Sequence, residues 1–243
     1  ALDDGGFVIT WYSWQDGSEY GIYAQRYDAD GDKVGDEFQV NTYTPYTQEA
    51  PSIATLSDGG FVITWHSYNQ DGSNWGIYAQ RYNADGSMNG AEFLVNTETS
   101  NYQANPSTTA LSDGGFVITW MSYNQDGSSD GIYAQRYNAD GSVNGTEFLV
   151  NTETDNSQSY PSTTALDDGG FVITWQSGNQ DGSGYGVYAQ MHNADGTTQG
   201  SEFQVNTYTD YSQVGAGITV LNNGGFVVIW QSYGKAWETQ DGD

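Results

Sequence analysis

The chain has 243 residues, no cysteine, and 5 Lys plus Arg against 31 Asp plus Glu, for a formal charge of −26. That balance repels phosphate backbones and anionic lipid and attracts divalent cations, so nucleic-acid binding is not expected. Without thiols there is no disulfide framework, thiolate metal site or Cys nucleophile.

Charged residues make up only 15% of the chain and aromatics reach 15%, which is the composition of a folded domain rather than of an acidic tail. No apolar run reaches membrane-spanning length, so membrane insertion is not expected either. Ala1 is not followed by a charged and then apolar leader, and the chain reads as a mature or excised segment.

The phrase GGFVITW, first seen at Gly5 to Trp11, returns at Gly59, Gly114 and Gly169 and once more as GGFVVIW ending at Trp230. Its Trp residues are 54 residues apart once and 55 apart three times. A fixed period of this size marks one supersecondary unit stacked on copies of itself. The units run approximately over 1–48, 49–103, 104–158 and 159–213, with a partial one at 214–243, in a single repeat domain spanning 1–243.

In chain order, Ala1 and Leu2 read as the end of a first strand, and second to fourth strands follow to about Thr42. Three whole units then run to about Thr207. Within the third unit the predicted strands are Ser107 to Leu111, Phe116 to Ser122, Gly131 to Tyr137 and Glu147 to Thr152, bounded by Gly, Asp or Asn. Phe116, Ile118 and Trp120 share one face of the second strand and Val117 and Thr119 the other, as in a strand packed between two sheets. Asp113-Gly114-Gly115 and Asp140-Gly141 supply hairpin turns, so successive strands are antiparallel.

The predicted fold is therefore all-β: a β-propeller of four-stranded antiparallel blades of about 55 residues, with four complete blades plus a partial fifth. The four-blade count lets the last first strand, Gln213 to Leu221, complete the opening unit. An open stacked array is the competing topology.

Together, GGFVITW, QDGSxxGIYAQRY, NADGS, EFxVNT and PSTTAL resemble repeats of large secreted bacterial proteins of the RTX and adhesin type, over nearly the whole chain. The resemblance implies an extracellular or cell-surface location and calcium-dependent folding. The calcium nonapeptide of RTX proteins does not occur, so a calcium site cannot be carried over from it.

Three constellations are candidates for chemistry. The third-strand hairpins carry Asp28, Asp30 and Asp32, then Asn83 and Asp85, Asn138 and Asp140, and Asn193 and Asp195. Alternate oxygen side chains around a turn suit Ca²⁺, while Asx capping of an Asp-Gly bend explains the same residues without a metal. The Asn-Gln-Asp-Gly-Ser loops at Asn69, Asn124 and Asn179 support the same pair of readings.

The third constellation is the set of positions where the repeats differ. It offers Trp14, Tyr68, Trp75, Tyr123 and Tyr185, beside polar residues, as platforms on which a sugar ring would stack. An aromatic surface covering neighbouring blades is the plainer alternative. Arg26, Arg81 and Arg136 are expected to pair with Glu37, Glu92 or Glu147, and His66 and His192 fall at unrelated repeat positions. An Asn-x-Thr sequon stands at Asn144 to Thr146.

No carboxylate pair stands out by its setting, and repetition leaves no obvious unique set of catalytic groups. The sequence thus suggests a non-catalytic extracellular structural or adhesive module. A multivalent glycan-binding lectin and a filament or surface-layer subunit that self-associates by strand exchange stand beside that reading.

Overall fold

A computed structural model describes residues 1, 2 and 4–234. The end of the partial fifth repeat, 235–243, lies outside the described residues. Five antiparallel sheets follow one another along the chain, and no helix is present among the described residues.

The first sheet holds β1 (Phe7–Ser13), β2 (Gly21–Tyr27) and β3 (Lys33–Gln39). The second is β4 (Gln48–Thr55), β5 (Phe61–Tyr68), β6 (Trp75–Tyr82) and β7 (Phe93–Leu94), and the third is β8 (Gln103–Ala110), β9 (Phe116–Tyr123), β10 (Asp130–Tyr137) and β11 (Val143–Leu149). The fourth is β12 (Gln158–Ala165), β13 (Phe171–Gly178), β14 (Tyr185–His192) and β15 (Thr198–Gln204), and the fifth is β16 (Gln213–Val220) with β17 (Phe226–Ser232).

The all-β propeller blade expected from the repeats is present, with three sheets of four strands flanked by one of three and one of two. Because β16 pairs with β17 in register from Gln213↔Ser232 to Val220↔Phe226, it does not complete the first sheet. The fourth strand of the third sheet begins at Val143, ahead of the Glu147 start that the pattern suggested, because Arg136↔Asn144 and Tyr137↔Val143 extend the ladder past a register shift.

Both glycines of GGFVITW have a physical reason. Gly59 turns with φ +79°, a left-handed conformation that costs a residue with a Cβ. A Cβ on Gly60 would overlap the Tyr82 carbonyl. The same overlap faces Gly6 at Tyr27, Gly115 at Tyr137 and Gly170 at His192, so the phrase closes the second strand onto the third in the first four sheets.

The core lies between sheets. Phe61, Ile63 and Trp65 of β5 pack on Leu2, Ile22, Ala24 and Val40 of the first unit, and Phe116, Ile118 and Trp120 of β9 pack on Val62, Ile77, Ala79 and Val95. Phe171, Ile173 and Trp175 repeat the arrangement on Val117, Ile132, Ala134 and Val150. The stripe read from the repeat is therefore the wedge each sheet drives into the one before it.

The arginines tie sheets together, but not through Glu37, Glu92 or Glu147 as expected. Arg26 Nη1 and Nη2 donate to the carbonyls of Asp85 and Ala84 in the next unit, both at 2.6 Å. Arg136 does the same to Asp195 and Ala194. The glutamates serve a separate tie: Glu92 Oε2 accepts the Thr42 amide of the preceding unit at 2.6 Å, and Glu147 accepts that of Thr97 at 2.7 Å.

Candidate functional site

The hairpins with the proposed cation ligands and the loops with the proposed sugar platforms end up at opposite ends of the sheets. The hairpins follow the third strand at the end where Leu56 and Gly60 turn. The aromatic loops lie where β5 ends beside the start of β4, at the Tyr68 amide to Thr47 carbonyl bond of 2.9 Å.

In the hairpins the side-chain oxygens are used by their own turns. Asp28 Oδ1 accepts the amides of Asp30 and Asp32 at 3.1 and 2.8 Å. Asp85 Oδ1 accepts the Ser87 hydroxyl and amide, which hold its carboxyl below the usual range, and Asn83 Nδ2 donates to Ser87 Oγ. Asp140 with Ser142 and Asp195 with Thr197 repeat this, Asn138 and Asn193 standing where Asn83 does. These hydrogen bonds make the residues turn caps, and among the described residues no group of three His, Cys, Asp or Glu is arranged to hold a metal ion.

At the other end, the first strands β4, β8, β12 and β16 meet around a common opening. A cavity of about 420 Å³ there is lined by Pro51, Asn105, Pro106, Tyr160, Pro161 and Gly215, among others. Each strand bulges at this level, with register shifts between Glu49 and Ser52, Ala104 and Ser107, Ser159 and Ser162, and Val214 and Gly217. The bulge residues Ala50, Asn105, Tyr160 and Gly215 all have positive φ, of 51°, 55°, 56° and 65°. Bulges re-aim side chains, and here four of them point non-repeating residues toward one opening.

Glu49 and His66 form the most distinctive pair. His66 is buried, its Nδ1 accepts the Asn105 amide at 3.2 Å, and its Nε2 stands 3.5 Å from Glu49 Oε1. With Nδ1 accepting, the ring proton resides on Nε2, facing the carboxylate. That contact holds the Glu49 carboxyl below its usual range despite partial burial.

A second carboxylate, Asp130, is 8% exposed at the rim between the third and fourth sheets. It accepts the Tyr102 hydroxyl at 2.5 Å and the Ser157 hydroxyl at 2.8 Å. Burial, and then donation to Asp130, push the Tyr102 hydroxyl far above its usual range. A third carboxylate, Glu19, accepts the Thr47 hydroxyl across the first and second sheets.

The sugar-platform residues gather into separate clusters along this rim. Trp14, 63% exposed, meets Tyr20 edge-on at 5.2 Å, and Tyr12 does so at the same distance. Tyr68 meets Trp75 at 5.1 Å and Tyr46 at 5.9 Å, while Trp75 also covers His66 at 4.6 Å. Tyr123 stacks on Tyr102 at 5.1 Å, and Tyr185 leans over Gly178.

Sequence reasoning missed Glu49, Tyr46, Tyr102 and Tyr160. The signal was available: QEAPS, QANPS, QSYPS and QVGAG are one repeat position with changing content, just as the loops after the Trp are.

No family model matches the chain, and no curated protein matches it. Solved structures do. A protein of unknown function from Dyadobacter fermentans superposes with a TM-score of 0.68 at 9% identity, over 94% of this chain and 72% of that one. An alpha-L-arabinanase from Penicillium chrysogenum, complexed with arabinobiose, gives 0.63 at 15% identity over the same shares. An alpha-L-arabinofuranosidase from Fusarium graminearum gives 0.63 at 14% identity, again over 94% and 72%. At these identities the likeness defines the class of fold, a β-propeller.

The likeness also corrects the expectation of a non-catalytic structural or adhesive module, and with it the lectin and filament readings. That expectation rested on repetition, and the same architecture over 94% of this chain is carried by an arabinanase and an arabinofuranosidase. Repetition of the sheets is thus no argument against an enzyme. The expectation that no carboxylate stands out by its setting is corrected too, because Glu49 faces the buried His66 and Asp130 is buried against the Tyr102 and Ser157 hydroxyls.

Proposed function

We propose that this protein acts on carbohydrate at the opening of its propeller, binding a glycan there and hydrolysing it. The observation that carries the reading is the convergence of four bulged first strands on one cavity lined by Ala50, Asn105 and Tyr160, with the Glu49–His66 pair adjoining it in sequence at Ala50 and through the Asn105 amide. Glycosidic hydrolysis uses two carboxyl groups, one to protonate the leaving oxygen and one ionised to attack or to activate water.

Glu49, held below its usual range by His66, suits the ionised role. Asp130, fixed by two hydroxyl donors between the third and fourth sheets, is a second carboxylate at the same end of the sheets. Tyr68, Tyr160 and Trp75 offer ring faces to sugar C–H groups. The fold shared with an arabinanase and an arabinofuranosidase supports this reading. A secreted setting, as the repeat resemblance implies, is where a polymeric substrate would be met.

The test is incubation of the protein with arabinan, xylan and other neutral polysaccharides, with reducing ends measured over time. Release from at least one polymer is expected. No release and no binding across the set would overturn the proposal.

A further inference from the structure

We infer that the fourth sheet carries a separate subsite for a single neutral sugar residue, created by Gly178. This inference rests on the carbohydrate reading above and adds a location and a charge preference to it. In the second and third sheets the residue that ends the second strand is aromatic, and it closes the rim. Tyr68 packs against Trp75 at 5.1 Å, and Tyr123 packs against Tyr102 at 5.1 Å. The fourth sheet has Gly178 at that place.

The missing side chain leaves a cleft of about 390 Å³ lined by Ser129, Asn156, Asn179, Gly184, Tyr185 and Ser212, among others. This is within the size range of small-ligand pockets. Its composition is that of a sugar site: one aromatic wall, Tyr185, with amides and hydroxyls from three sheets around it.

The walls are fixed by the backbone. The Gly178 amide donates to the Ser157 carbonyl at 2.8 Å, Tyr185 N donates to Ser212 Oγ at 3.3 Å, and Tyr211 N to Ser183 Oγ at 3.0 Å. Gly184 adopts φ +39°, and a Cβ there would overlap the Tyr211 carbonyl, so the loop stays low and the cleft open. Ser157 lines the cleft and donates its hydroxyl to Asp130, which places a carboxylate behind that wall. With a chain charge of −26 around it, the cleft favours neutral sugars over uronic acids.

Gly178→Tyr restores the residue type of Tyr68 and Tyr123. A Cβ at 178 meets Tyr185 Cε1 at 3.4 Å and the Ser157 carbonyl at 3.5 Å, ordinary contact distances. Tyr185→Ala is the second variant and removes the wall without filling the cleft.

Calorimetric titration of wild type and both variants would use linear arabino- and xylo-oligosaccharides, with oligogalacturonate as the acidic probe. Expected are binding of a neutral oligosaccharide by wild type, at least tenfold weaker binding of oligogalacturonate, and at least tenfold loss in each variant. If wild type binds but both variants bind equally well, the cleft is not the site, while the carbohydrate reading stands. Oligogalacturonate binding as tightly as the neutral probes would overturn the charge preference. Failure of wild type to bind any of these sugars would overturn the carbohydrate reading and the subsite with it.

Discussion

Arg81 in the second sheet and Asp140 in the third are joined side chain to backbone: the guanidinium Nη1 donates to the Asp140 carbonyl at 2.6 Å, while Nη2 reaches the Ala139 carbonyl at 2.7 Å. The contact crosses from one repeat to the next and needs no acidic partner. It explains why the arginine recurs in three units. The fourth unit has Met191 in its place.

Arg81→Met keeps much of the apolar stem and deletes both bonds, leaving two carbonyls without their donor. Charged donors to neutral acceptors contribute about 2 kcal/mol, and a loss of that order is expected in urea unfolding. An unchanged midpoint would mean the tie is replaced by water at no cost.

Trp120 is fully buried in the wedge between the second and third sheets, and its Nε1 has no partner among the described residues. Trp120→Ala should cost about 3–5 kcal/mol through lost contacts and the cavity left behind. Trp120→Phe should cost markedly less, because it keeps an aromatic wedge and removes a buried unpaired N–H. Equal losses in the two variants, measured by denaturant unfolding, would contradict this packing account.

His192 occupies the place of Tyr82 and Tyr137 and stacks on Phe171 at 4.9 Å, as Tyr137 does on Phe116 at 4.8 Å. Burial lowers its pKa below the ordinary 6.5. The unfolded chain therefore takes up the proton first as pH falls. The stabilising contribution is complete above 6.5 and is lost as pH drops through that value toward the folded pKa. His192→Tyr should remove this acid-side loss, so that the melting temperature falls less between pH 8 and pH 5.5 than in wild type. An identical fall in both would show that His192 is not the group responsible.

The sheets were legible because their cause is periodic. GGFVITW fixes a turn, a close backbone approach and a buried stripe in seven letters, and each has its counterpart in Gly59, Gly60 and Trp65. The ties between repeats were less legible: Arg26 bonds to carbonyls, which every residue has, so no partner could be read from side-chain types. The opening was half visible. Trp75 and Tyr185 stood out as departures from the repeat, whereas Glu49 gains its character from His66 across the strand pair and Asn105 in the next sheet, a juxtaposition that only the bulges create.

The central claim is that the opening processes a glycan with Glu49 as the ionised carboxylate, and Glu49→Gln tests it most directly. The variant keeps the size and a polar contact to His66 while removing the charge. With a polysaccharide that wild type degrades, turnover by Glu49→Gln should fall by about 10²–10⁴ while oligosaccharide affinity stays within a few-fold. Turnover equal to that of wild type would contradict the account.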